Sequence, residues 1–357
     1  MKIGVPKEIK TLEGRVGLIP EACASLVQQG HEVLLQSRAG DLSGYSDQDY
    51  QQAGVLIVPD AETLYEQAEL IVKVKEPLAG DLQYLKPHHR LFCYLHLAAN
   101  IELAIKLCDI GLTAVAFETV TDRSGALPLL TPMSEIAGKL AVQIGSHLLH
   151  QPQGGRGVML GGLPFTERGQ VVILGAGQAG AAAARLAGAM GAEVTVFDRQ
   201  REPLERLLKT ASNITTRYAY EHSIAEVLMN ADLVIGAVLL PGLHAPRIVT
   251  EAMVQEMPTG SVIVDISVDQ GGCVETIRPT DYSQPTYRKH DVIHFGVTNM
   301  PGAVPRTASQ ALSAAITPYV QRLCEAGWEN QQDLQDGINI RNGKVDNPLI
   351  KRALGLN

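Results

Sequence analysis

The sequence has few aromatic residues, no block of positive charge and no long apolar run. Aromatic residues make up 4% of the chain, and no apolar stretch approaches the roughly 18 residues that a membrane-spanning helix needs. The formal net charge is -8, and no cluster of lysine and arginine offers a surface to a polyanion. We therefore expect a soluble protein whose partners include neither a membrane nor nucleic acid.

Cysteine is also scarce, and its arrangement argues against disulfide bonds and against a metal site. The five cysteines form no CxxC pair and mostly lie in apolar segments, which favours buried, reduced thiols and a cytoplasmic location. The N-terminus, MKIGVPKEIK, lacks the apolar core of a signal peptide. No histidine and cysteine cluster has metal-ligand spacing, so we expect no required metal.

Short apolar runs alternate with helical patterns in the first third of the chain. Strands are predicted at residues 3–5, 32–35, 70–74, 91–95 and 113–117. Helices are predicted near 20–29 and near 101–109, the second capped by Asn100 and ended by Gly111. This alternation indicates a parallel sheet covered by helices.

The most specific motif is residues 171–198, VVILGAGQAGAAAARLAGAMGAEVTVFD. Gly175 permits a tight turn after a strand, Gly177 lets the backbone approach a pyrophosphate, and Gly180 lets the following helix pack closely on the strand. Asp198 then follows a second strand, where it can bind the adenosine ribose hydroxyls. The segment predicts a dinucleotide-binding βαβ unit.

Asp198 also bears on the choice of cofactor. A carboxylate here repels a 2′-phosphate and favours NAD over NADP. Arg199 and Arg201 follow closely and could partly offset that repulsion.

The remaining patterns complete a fold prediction. Residues 233–239, 261–266 and 292–297 are apolar runs typical of buried parallel strands. Residues 134–150, with Ser134 as N-cap, and residues 308–326 are predicted connector helices. We predict an α/β protein with two doubly wound parallel-sheet (Rossmann-like) domains flanking a cleft and joined by two long connector helices. The expected division is a substrate domain at 1–130, a nucleotide domain at 131–306, and a return to the substrate domain at 307–357.

Polar residues that follow apolar runs are candidates for chemistry, because open parallel sheets bind ligands beyond the carboxyl ends of their strands. Lys75, His96, Asp269 and Asn299 occupy such positions. Taken singly, the histidine could be a core residue, the lysine a surface charge, and the other two turn formers. Together, an amine, an imidazole and a carboxylate near a nicotinamide could polarise a substrate and exchange its protons. Arg15 adds a guanidinium able to bind a carboxylate with two parallel hydrogen bonds.

These segments resemble the alanine dehydrogenase and transhydrogenase family, in collinear order over nearly the whole chain. The blocks that carry the resemblance are MKIGVPKEIK, GRVGLIP, VKVKEP, YLHLA, PLLTPMSEIAGKLA, QPQGGRGVMLGG, ILGAGQAG, ADLVIGAVLLPG, VDISVDQGG and VTNMPGAVPRTAS. The resemblance implies NAD-dependent, reversible oxidative deamination of L-alanine to pyruvate and ammonium by a homohexamer. Alternatives are a transhydrogenase-like hydride-transfer subunit and a non-catalytic, NAD-responsive binding protein.

The resemblance also implies roles for individual residues. Arg15 would bind the substrate carboxylate, Lys75 would bind the same group or polarise the carbonyl, His96 would be the general acid and base, and Asp269 would assist with water and amine. The residues that would hold NAD are Ser134, Gly175, Gly177, Gln178, Ala179, Gly180, Asp198, Val238, Leu239, Ile266, Asp269, Asn299, Met300, Pro301 and Gly302.

Two departures from the family pattern fall at the adenosine end of the cofactor. Pro203 stands where a basic residue is usual, and Ala219 and Tyr220 stand where the family commonly has a serine after the RY pair. The strictness of NAD over NADP therefore stays open. The breadth of substrates depends on the walls of the substrate pocket, and it stays open together with the physiological direction of the reaction.

Overall fold

A computed structural model describes residues 1–238 and 244–355. The chain divides into two compact units. The first consists of residues 1–133 and 302–357, and the second is the continuous segment 134–301.

The first unit is built on an eight-stranded sheet of order β15-β14-β6-β5-β4-β1-β2-β3, with strands numbered along the whole chain. Its strands are β1 Lys2–Val5, β2 Glu32–Gln36, β3 Leu56–Val58, β4 Leu70–Val72, β5 Arg90–Cys93, β6 Thr113–Ala116, β14 Ile338–Arg341 and β15 Lys344–Val345. Its helices are α1 Pro20–Gln28, α2 Asp47–Gln52, α3 Ala61–Gln67, α4 Ala79–Leu82, α5 Ile101–Ile110, α11 Pro305–Leu323, α12 Gln332–Gly337 and α13 Pro348–Ala353.

The central strands of this sheet run parallel, as the alternating pattern predicts. β1 pairs with β2 and β4, and the parallel order continues through β5 to β6. The predicted caps of α5 are confirmed, because the Asn100 side chain accepts from the Leu103 amide and Gly111 ends the helix in a left-handed conformation. β14 then adds to β6 antiparallel, so the C-terminal segment returns to the sheet of the first unit.

The second unit has a seven-stranded sheet of order β12-β13-β11-β10-β7-β8-β9. Its strands are β7 Gln170–Leu174, β8 Glu193–Asp198, β9 Ile214–Tyr218, β10 Leu233–Gly236, β11 Val262–Asp265, β12 Thr286–Lys289 and β13 Val292–Phe295. Its helices are α7 Gln178–Ala189, α8 Arg201–Leu208, α9 Glu221–Leu228, α10 Glu251–Gln255 and residues 134–148 of α6 Thr131–Leu148.

The apolar runs predicted as buried parallel strands are confirmed. β10, β11 and β13 pair parallel, and their residues are buried. β12 runs antiparallel on the outer side of β13 and was not predicted, because its sequence TYRK carries little apolar signal. The α/β class and the parallel character of both sheets agree with the prediction.

The predicted N-cap of α6 is wrong. The helix begins at Thr131, so Ser134 lies inside its first turn and not before it. Pro132 explains the earlier start, since the first turn of a helix does not need the backbone N–H that proline lacks.

The cysteines are free thiols, as the sequence predicts. Cys23, Cys93 and Cys273 are buried, whereas Cys108 and Cys324 are only half-buried.

Candidate active site

Two candidate reacting residues follow neighbouring strands at the carboxyl edge of the first unit's sheet. β4 and β5 pair parallel, with Val72 opposite Phe92, and the ladder extends until the Tyr94 amide donates to the Val74 carbonyl at 3.1 Å. Lys75 and His96 come next on the two strands, the first half-buried and the second exposed. The register therefore brings an ammonium and an imidazole to the same edge.

Arg15 is buried and held by Glu13, a residue that the sequence analysis missed. The Glu13 carboxylate accepts from Arg15 Nε at 2.7 Å and from Nη2 at 2.5 Å. Burial alone would lower the pKa of Arg15, but the hydrogen bonds and charge of Glu13 outweigh it and the pKa is raised. The guanidinium is therefore a permanent cation with a fixed orientation.

This pairing restricts how Arg15 can bind a ligand. Because Glu13 takes the edge formed by Nε and Nη2, a substrate carboxylate has to approach the side of Nη1. Nη1 lies 3.2 Å from the sulfur of Met133, which is a weak acceptor. A carboxylate is a far stronger acceptor than a thioether, so it can compete for this donor.

Tyr94 contacts His96 and lies within the electrostatic influence of Arg15, and the sequence analysis also missed it. Its ring stacks on that of His96, with centroids 5.9 Å apart and planes inclined by 5°. Its hydroxyl donates to the Leu129 carbonyl at 2.6 Å. Burial raises the pKa of the Tyr94 phenol, although the Arg15 charge opposes the shift, so the hydroxyl stays protonated as a donor.

The turn at His96 is held by Glu118. His96 has a left-handed backbone, with φ of 51°, and its amide donates to Glu118 Oε1 at 2.6 Å. The Leu95 amide lies 3.2 Å from both carboxylate oxygens. Glu118 follows β6, the next strand of the sheet, in a short 3-10 turn, Phe117–Thr119.

A buried ionic network lies below the strand end that carries Lys75. The Lys73 ammonium lies 3.4 Å from Glu8 and 3.3 Å from Asp81, and all three side chains are buried. Burial lowers the pKa of Lys73, but the two carboxylates outweigh it and the pKa is raised. Glu8 also accepts from the Val74 amide at 2.7 Å, so it fixes the backbone just before Lys75.

In the second unit, the glycine turn has the geometry that a pyrophosphate needs. Gly175 has φ of 102°, and a Cβ at that position would lie 2.5 Å from the Ala237 carbonyl oxygen. Gly177 is the N-cap of α7, and a Cβ there would meet no atom of the described residues within 4 Å. A backbone without a side chain at the start of this 12-residue helix is what close approach of an anionic ligand to the helix amides requires.

Asp198 ends β8 beside this turn. One carboxylate oxygen accepts from the Ala176 amide at 2.6 Å and the other from the Gln200 amide at 2.8 Å. The nearby Arg201 forms an ion pair with Glu205, and Arg206 pairs with Glu202. The carboxylate thus has a fixed position at the end of the strand where a ribose would bind.

Asp269 lies beyond strand β11, in the 3-10 turn Ile266–Gln270, and is exposed. Ser267 in this turn bonds to both backbone groups of Val238, accepting from its amide at 3.0 Å and donating to its carbonyl at 2.8 Å. The buried Asp265 accepts from the amides of Ser267 and Cys273. Leu239, the other predicted residue here, lies outside the described residues.

Ser134 and the segment after β13 complete the predicted cofactor set. A Cβ on Gly138 would lie 2.1 Å from the carbonyl oxygen of Ala179, so α6 packs directly against the first turn of α7. Ser134 lies one turn earlier on the same face of α6. Asn299 is half-buried with φ of 61°, and the 3-10 turn Met300–Ala303 includes Pro301 and Gly302.

The structure thus groups the predicted residues within each unit. Arg15, Lys75 and His96 share one sheet edge in the first unit, joined there by Glu13, Tyr94 and Glu118. Apart from Gly302, which begins the C-terminal part of the first unit, the predicted cofactor residues that are described belong to the second unit. Within the described ranges, no set of three or more histidine, cysteine or acidic side chains could hold a metal ion.

Comparison with known proteins gives full-length matches. The family model described as "Alanine dehydrogenase/PNT, N-terminal domain" matches residues 4–137, and the C-terminal counterpart matches residues 141–348. Alanine dehydrogenase from Mycolicibacterium smegmatis is 45% identical, covering 100% of this chain and 97% of that protein. Alanine dehydrogenase from Bacillus subtilis is also 45% identical, covering 99% and 95%.

Solved structures agree with these matches. An L-alanine dehydrogenase superposes with a TM-score of 0.96 at 47% identity, covering 99% of both chains. A transhydrogenase from Sinorhizobium meliloti gives a TM-score of 0.86 at 23% identity, covering 97% of this chain and all of that one, which shows a shared fold. Among the described helices, none combines the length and apolar character needed to cross a bilayer. The chain belongs to the alanine dehydrogenase/PNT family.

Proposed function

We propose that this protein catalyses the reversible, NAD-dependent oxidative deamination of L-alanine to pyruvate and ammonium. The observation that carries the proposal is the grouping of Arg15, Lys75 and His96 at one sheet edge, each on a backbone fixed by a buried or half-buried carboxylate. A transhydrogenase or a binding module has no use for an arginine oriented to receive a substrate carboxylate next to an imidazole.

Arg15 and Lys75 bind and orient the substrate in this proposal. The carboxylate approaches the Nη1 side of Arg15 and replaces its contact with the Met133 sulfur. Lys75 binds the same carboxylate or polarises the carbonyl of pyruvate. Two cationic partners of different geometry fix the substrate α-carbon, which hydride transfer requires at about 3 to 3.5 Å from its acceptor.

His96 moves the protons. In the direction of deamination, bound NAD would supply the oxidising power by accepting the hydride of the α-carbon, which would leave an imino acid. His96 takes a proton from the water that attacks the imino carbon, and ammonium then leaves as the carbonyl of pyruvate forms. Overall, L-alanine, NAD⁺ and water give pyruvate, ammonium, NADH and one proton. Asp269 assists the water and the amine.

The second unit holds NAD in the proposal. The turn from Gly175 to Gly180 would hold the pyrophosphate, and Asp198 would bind the ribose. The other contacts come from Ser134, Gln178, Ala179, Val238, Leu239, Ile266, Asp269, Asn299, Met300, Pro301 and Gly302. NAD is favoured over NADP because Asp198 repels a 2′-phosphate, while Arg201 and Arg206 each pair with a glutamate of their own helix.

The assembly and location follow from the family alone. We propose a homohexamer in the cytoplasm, acting on small molecules without a nucleic-acid or membrane partner. Sedimentation of the purified protein tests the hexamer, and a monomeric or dimeric species at working concentration would contradict it.

One assay tests the activity. Purified protein is mixed with NADH, pyruvate and ammonium, the loss of NADH absorbance is followed, and ammonium is then omitted. The proposal expects consumption that depends on ammonium. A transhydrogenase would exchange hydride between two nucleotides without it, and a binding module would show none.

A matched pair of variants tests the acid and base. His96→Ala should lower kcat by about 100-fold or more, because general acid and base catalysis contributes that much. His88→Ala is the control, since His88 is exposed near the opposite end of β5. Near-normal turnover by His96→Ala would remove His96 from the mechanism.

A further inference from the structure

We propose that Glu118 is a positioning residue that holds the His96 turn in its left-handed form and thereby aims the imidazole. The proposal rests on the proposed function, since it assigns a role around the same acid and base. Glu118 itself need not touch the substrate.

The backbone of His96 is unfavourable without a partner. A left-handed conformation is unfavourable for an L-residue other than glycine, although asparagine, aspartate and histidine adopt it more often than most. His96 has φ of 51° and ψ of 36°, and the 3-10 turn Leu97–Ala99 follows directly. Something in the surrounding structure has to stabilise this turn.

Glu118 supplies that stabilisation. Its Oε1 accepts from the His96 amide at 2.6 Å, and both of its oxygens lie 3.2 Å from the Leu95 amide. Hydrogen bonds from backbone amides to a carboxylate are charge-assisted and stronger than those to a neutral acceptor. In a relaxed, extended turn the two amides would diverge, so one carboxylate could no longer accept from both.

The position of Glu118 is itself fixed by its neighbours in the fold. β6 pairs parallel with β5, placing Ala116 opposite Cys93, so the strand ends that carry Glu118 and His96 lie side by side. The next residue, Thr119, donates to the Gly337 carbonyl at 3.2 Å and accepts from Asn339 at 3.0 Å. The position of Glu118 is therefore set by the returning C-terminal segment as well as by β6.

Tyr94 explains why the turn matters for chemistry. Its ring is stacked on that of His96 and anchored through its hydroxyl to Leu129. The imidazole can keep this parallel stacking only while the backbone of residues 95 and 96 keeps its direction. Loss of the carboxylate would thus misalign the imidazole without removing it.

The central experiment replaces Glu118 with glutamine, which has the same shape and keeps one acceptor oxygen but loses the charge and the second acceptor. In the ammonium-dependent assay, Glu118→Gln should lower kcat by about 10- to 100-fold, as misplacement of a reacting group by about 1 Å does. The KM for pyruvate should change much less than kcat, because Arg15 and Lys75 still bind the carboxylate. The control is Glu102→Gln, which removes an exposed acidic charge from the first turn of α5 and should leave kcat unchanged.

A double-mutant cycle separates positioning from a general loss of structure. In a His96→Asn background, Glu118→Gln should lower the residual kcat by much less than in the wild type, since residues that act through one another are not additive. Asparagine suits this position because it tolerates the left-handed conformation. An equal loss in both backgrounds would overturn the proposal.

Crystal structures of the wild type and of Glu118→Gln give a readout that needs no activity. The proposal expects the variant to lose the left-handed conformation at residue 96 or the parallel stacking with Tyr94. An unchanged turn in the variant would overturn it. Failure of the wild type in the ammonium-dependent assay would instead contradict the proposed function, and the crystal structures would still decide the role of Glu118 in the turn.

Discussion

Two glycines of the nucleotide turn should respond in opposite ways to the same added methyl group. A Cβ on Gly180 would lie 1.8 Å from the carbonyl oxygen of Gly175, whereas a Cβ on Gly177 would meet no atom within 4 Å in the part of the chain that the structure describes. Gly177 also has φ of -66°, which alanine adopts without strain. Gly180→Ala should therefore damage the fold, and Gly177→Ala should damage only the binding of the cofactor.

The expected losses of stability follow from these distances and backbone angles. Contact at 1.8 Å is far inside van der Waals distance, so the turn or α7 has to shift, and overpacking of this kind costs about 3 kcal/mol. For a unit of this size each kcal/mol lowers Tm by about 2–4 °C, so Gly180→Ala should lower it by roughly 6–12 °C. Gly177→Ala should cost less than about 1 kcal/mol, the difference between glycine and alanine at an N-cap.

The affinity for NADH should separate the two variants in the opposite direction, because Gly177→Ala should be the one that weakens binding directly. A methyl group on Gly177 occupies space in front of the helix amides, where a pyrophosphate would lie, so the Kd for NADH should rise about 10-fold or more, equivalent to about 1.4 kcal/mol. Thermal unfolding and isothermal titration with NADH measure the two effects on the same samples. Wild-type NADH affinity in Gly177→Ala, or a wild-type Tm in Gly180→Ala, would refute the reasoning.

Three further predictions concern buried charge, substrate contact and pH. Glu13→Ala removes the carboxylate that forms an ion pair with the buried Arg15 and should lower the free energy of unfolding by about 3–5 kcal/mol in urea titration; a loss below 1 kcal/mol would contradict this. Lys75→Ala should raise the KM for pyruvate and lower kcat in steady-state kinetics, and an unchanged KM would count against a substrate contact. Burial lowers the pKa of His294 to about 4, so the unfolded chain binds more protons between pH 6.5 and 4 and stability falls as the pH falls through that range. The free energy of unfolding of the wild type minus that of His294→Gln should therefore fall by about 3 kcal/mol from pH 7 to 4, and a constant difference would exclude the histidine as the cause.

The strongest sequence signals predicted the parts of the fold that depend on local pattern. Apolar runs gave the central parallel strands, and the asparagine and glycine at the ends of α5 gave its caps. The antiparallel strand β12 was missed because TYRK is largely polar. The residue type of Ser134 suits an N-cap, but Pro132 indicates that the helix begins earlier.

The residues of the candidate site also fall into two groups: those that the local sequence indicates and those whose role depends on the fold. Arg15, Lys75 and His96 could be selected from the sequence because each follows an apolar run or a recognised block. Glu118 could not, since its contact with His96 spans 22 positions in the sequence and depends on the register between β5 and β6. Glu13 lies only two residues from Arg15, so the EGR segment did carry a signal, but an acidic neighbour does not by itself indicate a buried pair.

The order in which the two units can be completed on the ribosome follows from the position of β14. The second unit is continuous, so everything it needs has been synthesised by residue 301, whereas the sheet of the first unit lacks its β14 and β15 edge until residues 338–345 emerge. In nascent chains arrested shortly after the second unit, we expect that unit to resist protease. The N-terminal segment of the same chains should still be cleaved. Equal protection of both segments at that length would show that the first 133 residues fold without their C-terminal strands.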